Sequence, residues 1–434
     1  MLGIGREDFS PDKPVRMNSK RTGEYVREPI YATALSFRQG DNRAMLVSVD
    51  LRQIYEHFTD QIKPLVAEAT GIKAENIIFT TNHNHSCPDI SSTANEGVID
   101  WKERIGIPAI IRAAKAAVAD EQEVTGMVGG TGFVDRMGYV RRNQRADGVW
   151  SGIFYCNPNK LPVERHESDA DRSFRVVRIT RKNAKSLILV HCQIHCSSAL
   201  GEQIDAICAD FVGPLREKLE EAEDCIGLYL QGACGNINQN TLKEDEKEFE
   251  IKDYRTRGES MAKWALEALE NAQPLKIGEL KCMYSGVDCY VNHTRDHLVE
   301  QIQKIKEEVE DTEIRKERFK EIGIPHPWVA DLACRLSQRE ETQTIPLAAL
   351  SLGDLALTFD PNELFDQCGV MLRDASPFAM TMNCGYSIGY YGYVPAHQCW
   401  PHGNYEVEMC HYMCGTGERI VVAHLSNLNK LKNG

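Results

Sequence analysis

No run in the sequence approaches the roughly 18 uninterrupted apolar residues that span a bilayer, so no transmembrane helix is expected. The opening Met1-Leu-Gly-Ile-Gly-Arg-Glu-Asp lacks the basic-then-apolar layout of a secretion signal, which predicts a cytoplasmic protein. Positive charge is short: 50 Lys and Arg against 63 Asp and Glu leave a net −13. That balance excludes an electropositive nucleic-acid groove and disfavours anionic membranes, leaving a small molecule as the expected partner. No Gly/Ser-rich or Pro-rich linker interrupts the chain and no internal repeat is evident, so residues 1–434 read as one domain. Cysteine is plentiful, but fifteen is an odd count in a long chain without a leader. Reduced thiols are therefore expected. Cys192/Cys196 and Cys410/Cys414 share a C-x3-C spacing that a second metal might use; they read more simply as core thiols.

Strands and helices alternate in an irregular order. Residues 30–51 read as a hairpin around Gly40-Asp-Asn, followed by a helix over about 57–70 that Gly71 stops. Asn76-Ile-Ile-Phe-Thr-Thr is a short buried strand, and a helix opened by Pro108 covers about 108–119. Strands return at 175–179, 186–191 and 226–230, with helices over 210–223 and 258–271. Residues 296–322, rich in Lys and Glu, read as one amphipathic, solvent-facing helix, and 347–359 as a hairpin turning at Leu352-Gly-Asp. The expected fold is α/β (mixed α+β), with mixed sheets flanked by helices.

Four clusters carry potential chemistry. His83 and His85 follow a strand, and in extended chain two positions apart face the same side. His195 follows another apolar strand, while His191, inside that strand, reads as a core histidine; Asp205 and Asp210 could orient an imidazole or bind a metal. Two strand-end histidines with nearby carboxylates are raw material for a catalytic zinc site, which keeps one position open. Glu363, in Phe359-Asp-Pro-Asn-Glu, stands at a further strand end, where a helix-start carboxylate is the simpler reading. Tyr390-Tyr-Gly-Tyr-Val-Pro, with Tyr405 twelve residues beyond Tyr393, reads as packing. Spacing alone does not decide among these readings.

Taken in order, the clusters resemble the neutral (alkaline, non-lysosomal) ceramidase family. Its H-T-H-S-G-P is matched by His83-Asn-His-Ser-Cys-Pro88, and its strand-end His with a following Ala-Asp-Tyr-Pro-Gly segment by His195 and Cys208-Ala-Asp-Phe-Val-Gly213. Its Gln-Gly-x-x-Gly-Asp, Pro-Gly-Glu and Tyr-Val/Ile-Thr-Thr segments are matched by Gln231-Gly-Ala-Cys-Gly-Asn236, Pro361-Asn-Glu363 and Tyr393-Val-Pro-Ala. The resemblance implies a Zn2+ ion on His83, His195, Glu363 and Tyr393, with His85, Tyr405 and an Arg around the scissile carbonyl. Arg141 is the first candidate for that Arg and Arg142 the second. It further implies a zinc-dependent hydrolase of C–N bonds acting on an amide or ester, of a short bacterial type; an oligomer is allowed. Cys87, Asn236 and Asn362 depart from the pattern, and the chain stops before the family's C-terminal β-sandwich. These departures point away from membrane ceramide. The charged stretch 134–172 (Arg136, Arg141, Arg142, Arg145, Asp147, Arg165, Asp169) leans the same way, towards a polar or anionic substrate. The alternatives are a metalloenzyme acting on a sugar-derived or other small polar metabolite at an ester, lactone or C–O bond, or a non-catalytic, metal-stabilised binding protein.

Overall fold

Alternating apolar segments assemble, in chain order, into three large sheets of four or five strands, beside smaller two- and three-stranded ones among the described residues. The computed structural model describes residues 1–18, 21–152, 161–199 and 204–433. The first sheet runs β1 (Leu2–Asp8), β2 (Tyr31–Gln39), β3 (Asn42–Val49) and β4 (Ile77–Thr81). The second runs β5 (Val124–Phe133), β6 (Ser173–Arg181), β7 (Ala184–Cys192) and β8 (Cys225–Gln231), with Gln273–Pro274 added outside β5. The third runs β9 (Leu280–Tyr290), β10 (Thr342–Leu352), β11 (Leu355–Phe359) and β12 (Met380–Cys384). In each sheet three antiparallel neighbours are joined by a fourth strand parallel to the third.

A parallel neighbour demands a crossover, and a helix supplies it each time. Helices α1 (Glu56–Thr70) and α2 (Ile107–Ala119) precede and follow β4, and α3 (Val212–Ala222) and α4 (Tyr254–Glu270) precede and follow β8. Between β9 and β10 comes an insert of α5 (Val299–Glu308), α6 (Thr312–Glu321) and α7 (Pro327–Leu336). Helices α8 (Asp366–Asp374) and α9 (Thr416–Asn433) precede and follow β12. The chain therefore repeats one βββαβα topology three times, which corrects the sequence reading that found no repeat. The repeat lies in connectivity, and its third strands differ in length, at 8, 9 and 5 residues, so it leaves no periodic sequence signal.

Alternation along each strand divides its side chains between two cores. One face of every sheet enters a shared central core, where Leu46 and Ile78 meet Leu189 and Leu230, and Leu357 and Met382. The opposite faces are covered by that sheet's own helices: Met45 and Val47 by Ile62 and Ile110, Ile188 and Val190 by Leu215 and Ala265, Leu347 and Ala349 by Leu372 and Ile420. Each such buried aliphatic side chain stabilises by about 1.5–3 kcal/mol. Gly5 in β1 is required by close approach, because a Cβ there would stand 2.0 Å from the Ala113 carbonyl oxygen of α2.

The expected hairpins and helices are present within a few residues, with Gly71 closing α1 at φ 68°. The single helix expected over 296–322 is instead α5 and α6. Asp311 starts α6 afresh, accepting from the Glu313 and Ile314 amides at 2.9 Å. The apolar stripe also faces inward: Ile302, Ile305 and Phe319 join Val329 and Ala333 of α7 in a small separate core. Among the described residues, no helix is long and apolar enough to cross a membrane.

Candidate metal centre

The fourth strands β4, β8 and β12 converge, and the loops beyond them are stitched together. The Ile388 amide donates to the Phe79 carbonyl at 2.9 Å, and the Gly385 amide to the Gln231 carbonyl at 3.2 Å. Ser387 Oγ donates to Thr80 Oγ1 at 2.7 Å. Here the topological repeat becomes chemical. Three or four residues beyond the third strand of each sheet stands a side chain that lines the same cavity: Arg52 after β3, His195 after β7 and Glu363 after β11.

His83 and His195 are each 2% exposed, with Nε2 atoms 3.7 and 3.5 Å from Glu363 Oε2. Each imidazole is locked by its other nitrogen, which donates to a backbone carbonyl: His83 Nδ1 to Arg52 O at 2.7 Å, His195 Nδ1 to Ile237 O at 2.9 Å. Both Nε2 lone pairs thus face the same point, as outer partners arrange for metal-binding histidines. Ligands about 2.0–2.2 Å from a tetrahedral ion lie roughly 3.3–3.6 Å from one another, so this spacing fits a single shared cation. His83, His85 and His195 have ring nitrogens within 4.8 Å of one another, a further metal-compatible grouping.

The H-x-H segment meets the expectation by a different route. His83 has φ 57°, the left-handed region, rather than extended backbone. Its ring stacks on Tyr386 at 3.8 Å between centroids, and His85 Nε2 lies 3.1 Å from His83 Nε2. Asn84, between them, turns away and donates to the Cys208 carbonyl at 2.7 Å.

Glu363 and Tyr393 are direct partners in a two-residue parallel ladder, Glu363–Leu364 against Tyr393–Val394. The Tyr386 hydroxyl donates to Glu363 Oε2 at 3.2 Å and the Tyr390 hydroxyl to Oε1. Tyr393 packs edge-on to Tyr405, with centroids 5.4 Å apart, and the Arg141 guanidinium lies 5.4 Å over its ring.

Arg141, rather than Arg142, reaches the cavity. It donates to Glu406 Oε1 at 2.7 Å and to Asn238 Oδ1 at 3.3 Å, with Nη1 3.4 Å from His195 Nε2. Arg142 is spent on structure, against Glu167 at 2.6 Å and the far oxygen of Glu406 at 2.9 Å. Elsewhere in the charged stretch, Arg145 pairs with Asp147 and Arg165 with the Gln144 amide oxygen, leaving Arg141 as its cavity residue among those described.

Burial lowers the affinity of His83, His85 and His195 for protons, Glu363 opposing it at His83 and His195 while the charges of Arg52 and Arg141 lower His85 further. Burial alone would raise Glu363, but the facing His83 and His195 outweigh it and hold the carboxyl well below its usual range. Burial and Glu363 push Tyr393 well above the ordinary phenol range; a cation beside it is what would ionise it. Two neutral imidazoles, a carboxylate and a phenol suit zinc.

Asp205 and Asp210 do not take part, which corrects that expectation. Buried Asp210 accepts from the Ala199 and Phe211 amides, both at 2.7 Å, and both site histidines are oriented by backbone carbonyls. His191 is a buried histidine as expected, with Nε2 2.7 Å from the Asn383 carbonyl. The described cysteines are all free; Cys192, Cys196 and Cys410 are buried in cores, and neither C-x3-C pair joins a metal-compatible cluster among the described residues. Of the departures, Asn236 clips the site from behind, exchanging hydrogen bonds with Asp366 at 2.7 and 2.9 Å. Arg52, Tyr386, Tyr390 and Glu406 belong to the site without having been assigned to it from sequence.

These groups line a cavity of about 620 Å³, whose wall also includes Gln53, Asn238, Gln239 and Asn240 and, from α7, Trp328, Asp331 and Arg335. Fold and site together define a mixed α/β protein with a buried, metal-compatible histidine cluster at the meeting point of three sheets. The fold is that of the neutral ceramidases. The crystal structure of neutral ceramidase from Pseudomonas aeruginosa matches with TM-score 0.71 at 16% identity, over 99% of this chain and 74% of that one. A ceramidase structure complexed with C2 matches with TM-score 0.70 at 17% identity, over 99% and 75%. No family model matches the sequence, and no curated protein matches it either.

Proposed function

We propose that this chain is a zinc-dependent hydrolase of the neutral-ceramidase type that cleaves an amide or ester carbonyl, in a substrate other than membrane ceramide. The observation that carries the proposal is the convergence of His83 Nε2, His195 Nε2 and Glu363 Oε2, each imidazole fixed by a carbonyl, on the floor of a large cavity. His83, His195, Glu363 and Tyr393 hold the ion. Bound there, zinc supplies Lewis acidity and makes water nucleophilic at neutral pH.

The chain's own residues supply the rest. Tyr386 and Tyr390 clamp the Glu363 carboxylate by a hydrogen bond to each oxygen, so that it does not swing away. Arg141 is fixed by Glu406 and Asn238 before any substrate arrives, and with Tyr405 it offers donors to a developing oxyanion. Such preorganised donors cost no rearrangement at the moment of reaction. His85, with Nε2 3.1 Å from His83 Nε2, stands beside the ligand set on the cavity wall, which suits it to hand a proton to the leaving group. The many charged and amide side chains of the wall, beside Trp328 and Met409, suit a substrate with polar groups near the scissile carbonyl and so support one other than ceramide.

The test is metal content together with turnover. Wild-type protein reconstituted with zinc is expected to carry one ion per chain and to hydrolyse members of an N-acyl amide and acyl ester panel. His83→Ala and His195→Ala are each expected to fall below a tenth of that content, measured by elemental mass spectrometry. Stoichiometric zinc in both variants would place the site elsewhere. Zinc without turnover on any member would favour a metal-stabilised binding protein.

A further inference from the structure

Of the two guanidiniums deepest in the cavity, one is neutralised and one is not. Arg141 is matched by the buried Glu406. Arg52 lines the same cavity, and its guanidinium has no hydrogen-bond or ion-pair partner among the described residues; only its backbone is engaged, the carbonyl accepting from Thr81 Oγ1 and His83 Nδ1. The carboxylates that face it are committed elsewhere. Asp89 lies 3.8 Å from Arg16 and accepts from Ser91, and Glu363 takes two tyrosine hydroxyls beside the histidines. Asp331, on the α7 side of the cavity, pairs with Lys306 at 2.6 Å. Nearby groups keep the Arg52 side chain charged, but its guanidinium donors face the cavity without a hydrogen-bond partner among the described residues, where a ligand can complete them.

Arg52 is also no stray surface residue. It stands three residues beyond β3, as His195 stands three beyond β7, so the topology that delivers the metal ligands delivers this guanidinium to the same centre. Its carbonyl holds His83, and its side chain is therefore tethered next to the reacting atoms. Arg335, also on the cavity wall, adds a second guanidinium with no ion-pair partner among the described residues. In an acidic protein, guanidiniums of this kind give the cavity a local positive charge that draws anions to it.

We infer that Arg52 is a specificity-determining residue that binds an anionic group of the substrate, a carboxylate or a phosphate, close to the scissile carbonyl. The substrate is thus an acyl amide or ester bearing an oxyanion. The inference rests on the hydrolase reading of the same site for its catalytic readout, but binding can be measured without it.

Matched probes test it: N-decanoylglycine against N-decanoylglycinamide, and N-decanoyl-O-phosphoethanolamine against N-decanoylethanolamine. Zinc-loaded wild type is expected to favour an anionic member by roughly ten- to a hundredfold in kcat/KM, the range set by one charge-assisted bidentate contact. Preference within the first pair identifies a carboxylate, within the second a phosphate. Arg52→Met is expected to bring the anionic-to-neutral ratio of kcat/KM to within about twofold of one, whatever it does to the absolute rates, and Arg52→Lys to restore part of the preference. Equal rates within both pairs, or an Arg52→Met variant that keeps the preference, would overturn the inference and leave the hydrolase intact. If nothing is turned over, thermal shifts with the same four compounds decide. A shift confined to the anionic members and lost in Arg52→Met sustains the anion site while the hydrolase reading fails; no such selectivity overturns it. Zinc content and the melting curve of each variant report whether it has folded.

Discussion

Single residues divide here into those that touch the reaction and those that hold others in place. Tyr405 packs against Tyr393 and Trp328, so Tyr405→Phe keeps the ring in place and removes the hydroxyl. That variant is expected to keep full zinc and lose turnover by roughly 10²–10³-fold, the usual cost of one oxyanion donor. Arg141→Ala differs, because it strands Glu406 in a buried network with Arg142 and Glu167. It is expected to lose turnover and also about 3–5 kcal/mol of stability, measured by denaturant unfolding. His191 gives a pH prediction away from the metal. Burial, then the charge of Arg175, lower it to about 4 from an unfolded value near 6.5. The folded state therefore resists protonation: the stabilisation is complete above pH 6.5 and is lost as pH falls towards 4. The loss reaches about 3 kcal/mol. His191→Gln does not titrate, so its melting temperature is expected to fall less than that of wild type between pH 7.5 and 4.5. Equal falls would show that His191 is protonated as easily folded as unfolded.

At the scale of elements, the sequence was most legible where a strand ends in a chemical residue. Ile77–Thr81 into His83, and Leu187–Cys192 into His195, are continuous apolar runs whose ends can be read directly. Glu363 was legible only by resemblance, since what makes it a site residue is its pairing with Tyr393 across thirty positions. Arg52 was missed for a related reason: Val49-Asp-Leu-Arg-Gln carries no spaced motif, and only the repeated topology shows where that loop points. The strands β1 and β9 were passed over because glycines and half-exposed polar residues break their alternation. The crossed loops also make a prediction. A Cβ on Gly235 would stand 2.4 Å from the Glu363 carbonyl oxygen, whereas one on Gly126 would meet Thr180 at an ordinary 3.7 Å. Gly235→Ala is therefore expected to weaken zinc binding at least tenfold without altering a ligand, and Gly126→Ala to leave it unchanged. Competition with a chelator dye would compare them.

For the molecule as a whole, the α5–α7 insert is nearly self-contained. It has its own core, and the strands on either side of it meet at Tyr290 and Thr342, opposite each other in the β9–β10 ladder. Replacing residues 293–340 with a short Asn-Gly turn is expected to leave a cooperatively folding, zinc-binding protein whose KM rises, because Trp328, Asp331 and Arg335 leave the cavity wall. Loss of the metal would show that the insert supports the three sheets rather than substrate choice. The three sheets themselves carry a different consequence. Their parallel strands end at residues 81, 231 and 384, so neighbours at the centre are about 150 positions apart along the chain. Contacts of such separation form slowly. During synthesis the histidines of the first two sheets emerge long before Glu363 and Tyr393. On the proposed ligand set, metal capture is therefore expected to close folding, its rate reporting the docking of the third sheet.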